Sequence, residues 1–129
     1  MTLRLLIADD SLMFRRLIAR YLQKRHGIVI VGEAVSGDDA VRKAAELRPD
    51  IAILDVSMPD QTCEKVCGAV REQSPKTKIY LCSAHSDGVL HEIAASVEAH
   101  GVLRKSLLRT DLLKMLEKEM GEEQGKRQK

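Results

Sequence analysis

Apolar and polar positions alternate in blocks along this chain, and each block has a strand-like or helix-like period. Leu3-Arg4-Leu5-Leu6-Ile7-Ala8 and Ile51-Ala52-Ile53-Leu54 are short aliphatic runs flanked by helix-like sequence. That pattern predicts strands buried on both faces of a parallel sheet. Between them, about Leu12 to His26 reads as a helix whose stripe Phe14, Leu17, Ile18 and Tyr21 follows i, i+3, i+4, i+7. Gly27 suits the stop, Ile28 to Val35 reads as a second strand, and Ser36 as the N-cap of a helix that Pro49 ends. Asp38 and Asp39 lie in its first turn, where the helix dipole favours negative charge.

The second half repeats the scheme. Met58-Pro59-Asp60 marks a loop and Cys63 to Gln73 a short helix. Ser74-Pro75-Lys76 breaks it before the strand Lys78 to Cys82, which ends at Ser83-Ala84. Ser86-Asp87 opens a helix with Leu90, Ile93, Ala94 and Val97 facing inward. Gly101 starts a last strand, Val102-Leu103-Arg104, ending at Lys105; Arg104 suits a sheet edge better than a centre. Ser106 is placed to cap a final helix carrying Leu108, Leu112, Met115 and Leu116. About five strands thus alternate with about five helices. Right-handed crossovers then make a single α/β domain, a parallel sheet covered on both faces. The domain is expected over 1–120, with 121–129 a polar, disordered tail.

Composition narrows the function without naming it. The chain has 129 residues and a net charge of +2. That length fits one core, and the near-neutral charge gives no argument for nucleic-acid or membrane binding. Arg16, Arg20 and Lys24 form a basic line at i, i+4, i+8, read as a solvated helix face. Aromatics are limited to Phe14, Tyr21 and Tyr80, so aliphatic side chains fill the core. No apolar run approaches the roughly 20 residues of a membrane span, and the amino terminus has no signal-peptide layout. A cytoplasmic protein is the expectation. Of the three cysteines, Cys82 belongs to a core strand. Cys63 and Cys67 share a helix face, read as small apolar residues turned to the core, with a metal or redox pair as the alternative.

Five chemically distinct side chains fall at strand carboxyl ends: Asp9, Asp10, Asp55, Ser83 and Lys105. Open parallel sheets bind ligands in that crevice. Carboxylates clustered there repel one another unless a cation neutralises them, and magnesium prefers such oxygen ligands. A carboxylate can also act as a phosphoryl acceptor. Phosphoryl transfer asks mainly for positioning and charge neutralisation, which magnesium and Lys105 would supply.

At these residues the chain resembles the receiver domains of two-component response regulators, the CheY-like family. The matching segments are Leu5 to Ser11, Ile53 to Pro59, Leu81 to Ala84 and Gly101 to Lys105. The resemblance implies a flavodoxin-like (βα)5 fold with strand order 2-1-3-4-5. It implies Asp55 as phosphoacceptor and Asp9, Asp10, Asp55 and the Ser57 backbone carbonyl as magnesium ligands. Ser83 would be the hydroxyl that turns to the phosphoryl group, and Lys105 its ionic partner. The donor would be a phosphohistidine on a sensor histidine kinase or a histidine phosphotransfer protein. The signal would pass to a downstream output protein or domain, and a homodimer is compatible. Such a domain catalyses nothing beyond its own aspartyl phosphorylation and dephosphorylation. Ser57 and His85 match variable positions flanking the site. Stand-alone receiver and receiver of a longer regulator both fit.

Three positions depart from the family pattern. Val102 stands at a usual aromatic, Ser106 at a usual proline, and Thr62-Cys63 at a usual acidic-or-amide residue plus glycine. A cis bond before Ser106 would cost about 2.5–4 kcal/mol. The alternatives are a haloacid-dehalogenase-like phosphohydrolase, which would want Asp-x-Asp after the first strand, and a flavodoxin-like flavin binder, whose phosphate Asp9-Asp10 would repel. A receiver used only for docking, without phosphorylation, is the third.

Overall fold

The computed structural model describes residues 2–23, 25–84 and 87–127. The strands are β1 (Leu3–Ala8), β2 (Ile28–Ala34), β3 (Ile51–Asp55), β4 (Lys78–Ser83) and β5 (Gly101–Arg104). The helices are α1 (Leu12–Leu22), α2 (Gly37–Leu47), α3 (Cys63–Gln73), α4 (Asp87–Ser96) and α5 (Leu108–Arg127). All strand pairs are parallel and the order is β2-β1-β3-β4-β5. β1 leaves the middle of the sheet and β3 takes the other side, so the strand order reverses between them. Asp9 and Asp55 therefore end on adjacent strands.

Alternation along the strands sorts the core into two layers. Leu5, Ile7, Ile51, Ile53, Tyr80, Cys82 and Leu103 pack with Ile18 of α1 and Leu112 and Leu116 of α5. Leu6, Ala8, Ala52, Leu54, Ile79 and Leu81 pack with Ala40 and Ala44 of α2, Val66 of α3 and Leu90 of α4. Extending the alternation by one residue puts Asp9, Asp55 and Lys105 on the α1/α5 face and Ser83 on the other. Val102 lies against the second layer, half-buried.

Helix starts follow local rules. Ser11, Ser36 and Thr62 cap α1, α2 and α3 through side-chain oxygens that accept from Phe14, Asp39 and Lys65 N–H groups. A distant residue adds to α2: the Asp60 carboxylate accepts from the Gly37 and Asp38 N–H groups at 2.7 and 2.9 Å. Those bonds hold the Asp60 carboxyl below its ordinary range.

Several boundaries differ from the sequence reading. α1 stops at Leu22 rather than His26, and Gly27 instead takes a left-handed turn (φ 80°) that lets its carbonyl accept from Leu3 N–H. Arg48, not Pro49, ends α2, in the left-handed conformation. Ser106 does not cap α5. It sits in a 3-10 turn, Lys105–Leu107, and Asp111 of α5 reaches back to accept from Arg104 N–H at 2.9 Å. No cis peptide bond occurs among the described residues. Cys63, at the family's usual glycine, is the first residue of α3 and has no positive φ, so its side chain brings no backbone strain. α5 runs from Leu108 to Arg127. Lys24, His85 and Ser86, and Gln128 and Lys129 of the expected tail, lie outside the described residues.

Candidate functional site

Asp9 follows β1 and its N–H bonds to the Ala34 carbonyl, which continues the sheet by one residue. Its neighbour across the sheet is the last residue of β3, because Ala8 pairs with Leu54. Asp9 and Asp55 are thereby forced side by side. They are 2% and 6% exposed, so solvent screens their repulsion poorly. Asp10 is exposed at the rim. Each of Asp9, Asp10 and Asp55 offers an oxygen, and these atoms lie within 4.8 Å of one another.

Lys105 bridges the pair. Its Nζ is 2.8 Å from Asp9 Oδ2 and 3.5 Å from Asp55 Oδ2. The Asp9 contact is a close ion pair without hydrogen-bond alignment, so Oδ2 of this buried carboxylate has no hydrogen-bond partner. Asp9 Oδ1 accepts from Ser11 N–H at 2.8 Å, and Asp55 Oδ1 from Ser57 N–H at 3.2 Å. Arg15 donates to the Asp9 backbone carbonyl at 2.7 Å and pairs with Glu33 at 3.0 Å, which ties the strand end to α1 and β2.

The charges do not balance. Burial first, then the charge of Asp9, pushes the Asp55 carboxyl above its ordinary range despite Lys105 and the Ser57 N–H. Burial works against the Lys105 ammonium. Contact with Asp9 and the charge of Asp55 outweigh it and hold Lys105 above its ordinary value. Three carboxylates cluster there, while the Lys105 ammonium pairs with two of them, Asp9 and Asp55. That set fits a hard divalent cation, which takes oxygen ligands and would complete the neutralisation.

Of the residues expected at the site, Asp9, Asp10, Asp55 and Lys105 form one cluster. Ser57 sits at its edge, exposed, with its N–H on Asp55. Ser83 ends β4, 1% exposed, one residue beyond Cys82, the register partner of Asp55. It lies on the opposite face parity from Lys105, so hydroxyl and ammonium flank the strand ends from two sides.

One residue was read only as core. The Phe14 ring lies under Lys105 with Nζ 4.0 Å from its centroid, a cation–π contact in a partly desolvated place. Its period put Phe14 on the buried face of α1, and the α1/α5 layer is the one into which Lys105 points. Combining those two facts is the signal in the sequence that would have found the contact.

A family profile described as the response regulator receiver domain matches residues 5–117. A probable transcriptional regulatory protein NarL from Mycobacterium tuberculosis is 33% identical over 111 residues, 86% of this chain and 51% of that protein. A chemotaxis protein CheY from Listeria monocytogenes is 37% identical over 82 residues, 64% of this chain and 68% of its own. A protein-glutamate methylesterase/protein-glutamine glutaminase from Alkalilimnicola ehrlichii is 35% identical over 95 residues, but only 24% of its length is covered. The chain thus spans about half of the NarL relative and about a quarter of the methylesterase. The solved receiver domain of the Mycobacterium tuberculosis NarL superposes with a TM-score of 0.80 at 32% identity, covering 89% of this chain and 93% of that one. Among the described residues no helix is long and apolar enough to cross a membrane. Strand order, acidic crevice and family match agree: this chain belongs to the response regulator receiver domain family, a signalling module.

Proposed function

We propose that Asp55 accepts a phosphoryl group from a phosphohistidine donor, with a magnesium ion held by Asp9, Asp10, Asp55 and the Ser57 carbonyl. The observation that carries this reading is the surplus of negative charge around a buried Asp55 whose Lys105 partner is shared with Asp9. An Asp55 carboxylate oxygen bonds to phosphorus as the donor's P–N bond breaks, and the departing imidazole takes a proton from water. The ion, when bound, supplies positive charge that offsets the incoming phosphoryl oxygens.

The chain's own groups do the rest. Ser57 N–H orients the Asp55 carboxylate. Lys105 exchanges its Asp9 and Asp55 contacts for a phosphoryl oxygen, and the Ser83 hydroxyl donates to another. Phe14 keeps the ammonium over the site until that exchange. Phosphorylation replaces a single negative charge by one of about −2 with new acceptor oxygens. Shifting a two-state population from 1:99 to 99:1 takes about 5.5 kcal/mol, the scale of a few charge-assisted hydrogen bonds. The donor would be a sensor histidine kinase or histidine phosphotransfer protein, and the reader a downstream output protein or domain.

Incubation with acetyl phosphate and magnesium, followed by intact-mass measurement, should add one phosphoryl group to the wild type. Asp55→Asn should gain none, and chelation should abolish the gain. An unmodified wild type, or equal gain by Asp55→Asn, overturns the assignment.

A further inference from the structure

Cys63 and Cys67 take no part in the site described above. Their sulfurs lie 3.9 Å apart on the first turn of α3. Cys67 is 1% exposed and packed in the second core layer, whereas Cys63 is half-buried at the edge of that layer. Cys63 is the first residue of α3, directly after the Thr62 cap, where helix N–H groups and the dipole favour an anion. The third cysteine, Cys82, is 1% exposed in the middle of the sheet.

From this geometry we propose that Cys63 and Cys67 form a hydroperoxide-reactive dithiol, with Cys63 the attacking and Cys67 the resolving sulfur. The Cys63 thiolate bonds to one peroxide oxygen as the O–O bond breaks. With hydrogen peroxide, the leaving hydroxide takes up the proton that Cys63 gave to solvent, so one water is released and Cys63 becomes a sulfenic acid. The Cys67 thiolate then bonds to the Cys63 sulfur, the S–O bond breaks, and a second water carries off the hydroxyl and the Cys67 proton. The peroxide is reduced by two electrons and the two thiols are oxidised to one disulfide.

Position and protonation agree with this order. The two sulfurs share one S–H···S contact, and it holds the Cys63 thiol below the usual range. The same bond, and then burial, drives Cys67 up strongly. Once the Cys63 sulfur is oxidised it no longer needs that proton, and the largest cause of the Cys67 rise is gone. Cys82 is pushed up to about 12 by burial, which keeps it an inert thiol. Helical Cβ atoms at i, i+4 stand about 5–6 Å apart, and a disulfide wants about 3.5–4.5 Å. The bridge therefore requires the first turn of α3 to tighten. That turn is where a helix deforms at least cost, since its first N–H groups carry no intrahelical bond.

The test uses the whole chain, reduced and then exposed to equimolar hydrogen peroxide. Lys65 lies between the two cysteines, so trypsin separates them unless a disulfide joins the fragments. We expect a joined pair of peptides in the wild type, with Cys82 unmodified. Cys67→Ala should instead trap a dimedone-reactive sulfenic acid on Cys63, and Cys63→Ala should lose the fast reaction, each with an unchanged far-ultraviolet spectrum. Separate peptides with Cys63 still reduced, or Cys82 reacting as fast as Cys63, overturn the proposal. The wild-type peptide map decides it even if a variant folds poorly.

Discussion

At the amino end of the sheet, Glu119 of α5 is tucked between Lys78 and Tyr80. At the carboxyl end, Asp55 shares Lys105 with Asp9. Glu119 accepts from Lys78 Nζ at 2.6 Å and from the Tyr80 hydroxyl at 2.5 Å. Burial raises its carboxyl, but these two donors outweigh burial and hold it below the ordinary value. At the other end burial and Asp9 win, and the Asp55 carboxyl is held above its ordinary value. The same fold, using the same residue types, saturates one buried acid and starves the other. The starved end is where a ligand's charge can still be used.

The largest test of this contrast is Glu119→Ala, which takes the acceptor from a buried Tyr80 hydroxyl and from the half-exposed Lys78 ammonium. It should cost about 3 kcal/mol in urea unfolding, and a neutral result would mean the amino end is not saturated by Glu119. Next is metal. Magnesium at a hundredfold over its Kd should stabilise the wild type by about 2.7 kcal/mol. Asp9→Asn should show much less, and an equal response by the two proteins would move the metal away from Asp9. Without metal at neutral pH, Asp55→Asn should raise stability by about 1 kcal/mol, since it removes an under-paired buried charge. A loss of stability instead would show that Asp55 is already fully neutralised.

Acid titration separates the two ends by sign. The Glu119 carboxyl lies below its ordinary 4.5 in the folded state, so its stabilisation is present above that value and fades as pH falls through the folded one. The Asp55 carboxyl lies above its ordinary 3.8. Its stabilisation is complete below 3.8 and is lost as pH rises through the folded value. Differences in unfolding free energy between wild type and Glu119→Gln, and between wild type and Asp55→Asn, should therefore slope in opposite directions below neutral pH. The smallest effect belongs to Phe14→Leu, about 0.5–1 kcal/mol from the lost cation–π contact. Phe14→Trp places a lone indole over Lys105, as the chain has no tryptophan. Its emission should change when acetyl phosphate and magnesium draw the ammonium away, and constant emission would remove Phe14 from the exchange.

β1, β3 and β5 were legible because each is a short apolar run closed by a charged residue, Asp9, Asp55 and Lys105. Asp9, Asp10, Asp55 and Lys105 follow from that one-dimensional pattern plus the strand order. What escaped depends on pairs distant in sequence. The period of α5 through Leu112, Met115 and Leu116 carries Glu119 onto the inward face, but its partners Lys78 and Tyr80 lie on a strand distant in sequence. Asp60 sits in a loop by every local rule, yet it caps α2. Ser106 looked like an N-cap because it precedes an apolar helix, but it lies in the 3-10 turn Lys105–Leu107, and Asp111 inside α5 instead holds the main-chain and side-chain donors of Arg104. Local chemistry places residues, and long-range partners choose among the roles that placement leaves open.

Arg104 stands immediately before Lys105, and Asp111 grips it three times, through the backbone N–H, Nε at 2.8 Å and Nη2 at 2.8 Å. That grip joins the root of the lysine to the first turn of α5. A pull on Lys105 thus has two outlets: its flexible methylene stem can swing, or the helix must travel with it. Loosening the grip with Asp111→Ala would leave the stem as the sole outlet, so α5 would fall silent while the crevice kept its contents.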